Sequence, residues 1–182
     1  DEKIQKHTEN WVLAGLHVTS NSVSAGNGIR IRDSGKTLTV EDFKLDGLLR
    51  IQANTTEQNL DTTIDKLNGA GTLSFGDDNT AGEDGNSIWG LDVNNSSFAG
   101  TIEINVGNLR FDDVLALTNA TLSVQGGSQL TTVILSNNAT FAAMEYDGVP
   151  VADGEYTAAA LNALTSPDRF SGTGLLTVGT PP

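Results

Sequence analysis

Cysteine is absent from this 182-residue chain. That removes a disulfide scaffold, cysteine-based zinc sites and thiol catalysis together. Cations are scarce as well: ten Lys and Arg stand against 23 Asp and Glu, giving a formal net charge of −13. Such a surface repels phosphate backbones and anionic lipid, so neither nucleic acid nor a membrane is expected as a partner. Acidic polysaccharides are disfavoured too, unless a cation bridges the like charges. Neutral partners stay open. Aromatic residues make up only 5%, few for a compact globule, and no apolar run reaches the length of a membrane span.

What the chain has is turns and short strands. Gly (20) and many Thr, Asn and Ser residues separate runs that alternate apolar and polar positions. Examples are Thr37-Leu38-Thr39-Val40, Thr72-Leu73-Ser74-Phe75, Ile88 to Val93 and Thr101-Ile102-Glu103-Ile104. Alternation in runs this short predicts half-buried strands. Gly100-Thr101-Ile102, Asn119-Ala120-Thr121-Leu122 and Asn138-Ala139-Thr140-Phe141 repeat one turn-then-strand phrase and place apolar residues at 102, 122 and 141. Antiparallel hairpins need no such register, whereas one coil of a parallel solenoid needs about twenty residues. The expected fold is therefore all-β: a right-handed parallel β-helix with about 20 residues per coil, capped ends and one domain over 1–182.

Two stretches break the rhythm. Asn54 to Asn68 alternates weakly and is expected to be an excursion, and Gly76 to Asn86 is an acidic, glycine-punctuated loop. Residues 1–27 are expected to cap one end, because an uncovered edge strand invites aggregation. A single helix is predicted over Ala158 to Leu164, and Leu175 to Val178 should close the stack. The abrupt start at Asp1-Glu2-Lys3 and the linker-like close over 179–182 lead us to expect a module excised from something larger.

The stretch "YDGVPVADGEYTAAALNALTSPDRFSGTGLLTVG", residues 146–179, resembles the endings of secreted bacterial proteins built from autotransporter-type β-strand repeats. The resemblance rests on Gly154 to Ala158, Leu161-Asn162 and Phe170 to Gly174, and extends over about the last 110 residues. Within that group the chain is similar to the small right-handed β-helix carbohydrate-binding modules that accompany xylanases. The resemblance implies a bacterial, secreted or cell-surface location and attachment in cis to a glycoside hydrolase. It carries fold and substrate class only, with no ligand-contacting motif.

Chemistry is sparse in the sequence. Glu103 and Asn105 alternate with Ile102 and Ile104, and one carboxylate cannot serve as both acid and base. Asp112-Asp113 reads as a turn cap. His7 and His17 have no partner at ligand spacing. Asp77, Asp78, Asn79, Glu83, Asp84 and Asn86 supply the hard oxygens that Ca²⁺ takes, but not at EF-hand spacing; a solvated loop with no cofactor is expected, with calcium as the alternative.

A neutral glycan offers C–H faces to aromatic rings and hydroxyls to planar polar groups. Trp89 follows the polar stretch Asp84 to Ser87, and if Ile88 points inward Trp89 points outward. Tyr146 beside Asp147, Trp11, and Asn86 complete the expected sugar-binding set. Phe75, Phe111 and Phe141 read as core, while Phe43, Phe98 and Phe170 are undecided. The expected function is a non-catalytic module that binds a neutral plant polysaccharide, xylan first, and targets an attached hydrolase to it. The alternatives are a structural or adhesin segment without a sugar ligand, or a small polysaccharide lyase or hydrolase.

Overall fold

A computed structural model of the chain describes residues 9–19, 28–31, 33–53, 58–76, 85–125, 131–165 and 167–179. The regular secondary structure of the described residues is almost all β-strand. One nine-stranded sheet contains β1 (Trp11–Leu13), β4 (Lys36–Val40), β7 (Asn59–Gly69), β9 (Ile88–Ser96), β11 (Gly107–Phe111), β13 (Thr131–Leu135) and β17 (Phe170–Gly172) in that order. Its other two members are β2 (Leu16–Val18) and β5 (Phe43–Leu45). The second nine-stranded sheet runs β3 (Ile29–Ile31), β6 (Leu48–Ala53), β8 (Thr72–Phe75), β10 (Thr101–Ile104), β12 (Leu115–Val124), β14 (Ala139–Tyr146), β18 (Leu175–Val178) and β16 (Gly154–Thr157). The short β15 (Val149–Val151) adds to β14. Every pairing is parallel except β14 with β15 and β16 with β18. From β5 to β14 the chain alternates strictly between the sheets.

Inward side chains stack strand upon strand. Leu60, Trp89, Leu109, Val133 and Phe170 lie at matching positions of five successive strands in the first sheet. Leu49, Leu73, Ile102, Leu122 and Met144 do the same in the second. All ten are buried. At about 25 cal/mol per Å² of apolar area removed from water, these columns are the main term favouring the fold.

The step between stacked residues is not uniform. It is 20 between Thr101 and Thr121, but 29 between Thr72 and Thr101, 24 between Gly107 and Thr131, and 37 between Val133 and Phe170. Register follows which side chains point inward, and connectors absorb the difference cheaply, since doubling a loop costs only about 0.6 kcal/mol. The repeated phrase is corrected accordingly. Leu122 stacks on Ile102 as its spacing predicts, but its next neighbour is Met144, whereas Phe141 stacks on Leu117. A bulge between Leu117 and Thr121 takes up the mismatch inside one continuous strand, β12.

The excursion expected over 54–68 is also corrected: 59–69 is the longest strand, and 54–57 lie outside the described residues. Its alternation is disguised because Thr62 occupies a buried position and the strand pairs first with β4 and then, from Leu67, with β5. The change of partner shifts the inward phase by one residue. The described part of the expected cap, 9–19, contributes β1 and β2, in parallel register with β4 and β5. The helix is shorter than predicted, Ala158–Asn162, and starts where the Thr157 hydroxyl accepts from the Ala160 amide at 3.2 Å.

One corner is built from absent side chains. Thr72 and Thr101 donate their amides to the carbonyls of Gly47 and Gly71 at 2.8 and 2.9 Å, and Thr121 donates to Gly100 at 2.9 Å. A Cβ on Gly71 would lie 2.1 Å from the Gly47 oxygen, and one on Gly100 2.0 Å from the Gly71 oxygen. The chain passes so close to itself here that glycine is required.

Candidate functional site

After β14 two antiparallel pairings join the parallel ones, and there the chain builds a largely apolar cleft. Tyr146 closes β14, and Asp147-Gly148 turns the chain back into β15 as a two-residue hairpin. Both turn residues have positive φ, 50° and 72°, the geometry that Asp-Gly favours and that matches strand twist. The Asp147 amide donates to the Val124 carbonyl at 3.0 Å, tying the hairpin to β12.

The rest of the lining comes from β16 and from Leu164 and Thr165, just beyond the helix. Leu161 is buried and anchors the helix, whereas Leu164 just beyond it is exposed. Asn162 pins the return: its Oδ1 accepts from the amides of Arg169 and Phe170 at 2.9 and 2.8 Å, and its Nδ2 donates to the Phe170 carbonyl at 2.8 Å. The Tyr156 hydroxyl donates to the Ala152 carbonyl at 2.8 Å, holding that ring against the chain between β15 and β16.

The result is a cleft of about 540 Å³ lined by Tyr146, Tyr156, Val149, Val151, Leu164 and Thr165, with Asp147 among the lining residues. That volume is ordinary for a small-molecule site. Tyr146 and Tyr156 are partly buried against the core and keep part of each ring at the cleft. Asp147 is exposed and is the single carboxylate of the lining. The arrangement offers ring faces and aliphatic surface with one carboxylate, and its lining holds no second carboxylate for paired acid–base chemistry.

Of the five residues expected to hold sugar, the structure brings together two, Tyr146 and Asp147. Trp89 is corrected. It is fully buried, its Nε1 donates to the Val106 carbonyl at 3.2 Å, and its ring packs 6.4 Å from that of Phe75. The alternation of Trp89, Leu91 and Val93, all buried, sets the phase, so it is Trp89 and not Ile88 that points inward. Trp11 is half-buried at the first strand of its sheet. Asn86 is exposed in the turn before β9, and neither lines the cleft. All six Phe residues are buried. Tyr156 and Leu164 were missed as site residues because the cleft exists only once β16 and the turn after the helix come beside the β14–β15 hairpin, and no local pattern announces it.

Elsewhere several charged side chains join neighbouring strands. Arg110 bonds Asp112 at 2.6 Å and Asp61 at 3.0 Å, reaching across Gly90, which has no side chain to block it. Asp112-Asp113 thus does more than cap a turn: Asp112 is ion-paired, and the Asp113 amide donates to Asp92 at 3.2 Å. On the second sheet, Ser123 donates to Glu145 at 2.7 Å, while Asn105 donates to Ser74 at 2.8 Å and to Glu103 at 3.1 Å. His17, read as lacking a partner, bonds Asp46 at 3.0 Å; His7 lies outside the described residues. So do Asp77, Asp78, Asn79, Glu83 and Asp84 of the candidate calcium loop. Among the described residues no group of three or more His, Cys, Asp or Glu is placed to hold a metal, and no helix is long and apolar enough to cross a membrane. Comparison of the chain with protein-family models, with curated proteins and with solved structures finds no match.

Proposed function

We propose that the chain is a right-handed parallel β-helix module that binds a neutral plant polysaccharide, xylan first, through the Tyr146–Tyr156 cleft. In this reading it acts outside a bacterial cell, without catalysing a reaction, and holds an attached glycoside hydrolase on its substrate. The observation that carries it is the pairing of two tyrosine rings with one carboxylate in an apolar cleft on a rigid β frame. Such rings take the C–H faces of sugars, and Asp147 accepts from their hydroxyls. The long parallel stacks support the coiled reading, since strand-to-strand crossovers in one parallel sheet are right-handed. Weak binding suffices, because tethering raises the effective concentration of the hydrolase at the polymer.

Calorimetric titration with xylo-oligosaccharides, glucans and pectins tests the reading. A neutral oligosaccharide should bind, and Tyr146→Ala should weaken it at least about tenfold, or roughly 1.4 kcal/mol, with an unchanged circular dichroism spectrum. No binding to any neutral glycan, or equal binding by Tyr146→Ala, overturns it. A second reading, a structural or adhesin segment without a sugar ligand, is favoured by one specific observation: seven of the ten aromatic residues are buried in the core.

A further inference from the structure

The sheet that does not carry the cleft has a polar trough across four of its strands. His17 on β2 stands opposite Lys44 on β5, and Lys44 opposite Asn68 on β7. The row continues just past the end of β9, where the Ser97 amide donates to the Leu67 carbonyl at 3.0 Å. Two surface depressions lie along this row, of about 560 and 360 Å³, and they share Asn68. The first is lined by His17, Asp42, Lys44 and Asn68, and the second by Lys66, Asn68, Asn95 and Ser97.

Charge sets this trough apart from the rest of the molecule. In a chain of net charge −13, Lys44 and Lys66 here offset Asp42 and Asp46. Lys44 and His17 both contact the same oxygen of Asp46 at 3.0 Å, and Asn68 donates to Asp42 at 3.3 Å. Lys66 is exposed and makes no ion pair among the described residues. The lining therefore holds both donors and acceptors with little net charge, which suits ligand groups that both donate and accept. Hydroxyls do so, whereas phosphates and carboxylates only accept. Strands in a sheet lie roughly 4.8 Å apart, close to the length of one pyranose ring along an extended glycan, so a chain lying across the strands meets a similar polar row at each ring.

We infer that this trough is a second glycan-binding surface. It takes about three consecutive rings of an uncharged polysaccharide across β2, β5, β7 and β9, and reads hydroxyls by hydrogen bonding rather than by ring stacking. The inference rests on the carbohydrate reading above but on different residues. It is tested by titrating the isotopically labelled full chain with xylohexaose and following backbone amide shifts, in the parent, Asn68→Ala and Tyr146→Ala. The expected result is movement of amides near 15–17, 44, 66–68 and 95–97 in the parent and in Tyr146→Ala. In Asn68→Ala that set should bind about tenfold more weakly, the usual effect of losing one or two hydrogen bonds, while its spectrum without ligand stays that of the parent. If xylohexaose moves only amides near 146–165, the trough is overturned and the cleft stands. If an oligogalacturonate moves the trough amides at lower concentration than xylohexaose, the uncharged ligand class is overturned. If no amide moves with any glycan, both readings fall.

Discussion

Replacing Trp89 by Phe separates its place in the core from any contact with sugar. The indole is wholly buried, and its N–H bonds the Val106 carbonyl at 3.2 Å. Losing that donor leaves a buried acceptor short of a partner, which costs about 1–3 kcal/mol. The smaller ring leaves a cavity beside Phe75 that adds on the order of 1 kcal/mol. The expected loss is therefore about 2–4 kcal/mol, against a total of roughly 5–15 kcal/mol for a typical domain. Trp89→Phe should fold, with its urea midpoint lowered by about 1–2 M at a slope near 2 kcal/mol/M. Trp89→Ala, losing about 3–5 kcal/mol from the transfer and cavity terms as well as the hydrogen bond, should be partly unfolded without denaturant. Urea titration followed by circular dichroism measures both, and calorimetry with the same oligosaccharides measures binding. Folded Trp89→Phe should bind within about twofold of the parent, since a buried ring adds no contact area. A parental urea midpoint combined with lost glycan binding would refute the placement of this ring.

Gly100→Ala puts a Cβ against the Gly71 carbonyl and the Phe98 ring. The overpacking should cost about 1–3 kcal/mol, read as a melting temperature lowered by roughly 2–4 °C per kcal/mol; an unchanged melt would mean that the corner yields freely. Asp92→Asn should stabilise the protein at neutral pH. Burial raises the Asp92 carboxyl above the usual carboxylate range, opposed by the Asp113 amide bond and reinforced by the charges of Asp113, Asp112 and Asp61. A carboxyl with a raised folded pKa favours the fold only while protonated, so its contribution falls as pH rises from the unfolded value through the folded one. The variant's advantage should be less than about 1 kcal/mol, given the screening of a partly exposed group. It should disappear in acid, where both forms are neutral; a constant difference across pH in urea titrations would contradict this account.

The strands were legible because alternation is local. Leu38 and Val40, Ile102 and Ile104, and Leu176 and Val178 each announce an inward face two residues at a time, and all six are buried. Register was not legible from repeated words. The Asn-Ala-Thr phrase marks two chemically similar strand approaches that stack on different neighbours, because the bulge in β12 inserts residues the repeat does not count. Trp89 was misread by taking Ile88 as the reference for the phase, when Leu91 and Val93 on the same strand gave it correctly. In β7, a threonine at an inward position hid a strand. These misreadings share one cause: a parallel stack constrains which residues face each other across twenty to forty positions of sequence, and no window of a few residues contains that information.

The cleft lies where periodicity stops. Through β5 to β14 several outward polar side chains bond a side chain one or two strands away, as Ser123 does Glu145 and Arg110 does Asp61. Where they do so the surface is self-satisfied, and the depressions that the parallel strands leave, along His17, Lys44 and Asn68, are lined mainly by polar groups. Beyond β14 the step lengthens to 37 residues, two pairings turn antiparallel, and a helix enters. The additional chain brings Tyr156 and Leu164 to the same cleft as Tyr146. A regular β array supplies a repeated surface at low cost in sequence information, and the departure from it supplies the asymmetry that an apolar, ring-lined cleft needs. Shortening 152–168 to restore a step near 24 should therefore leave the parallel sheets folded and remove the cleft.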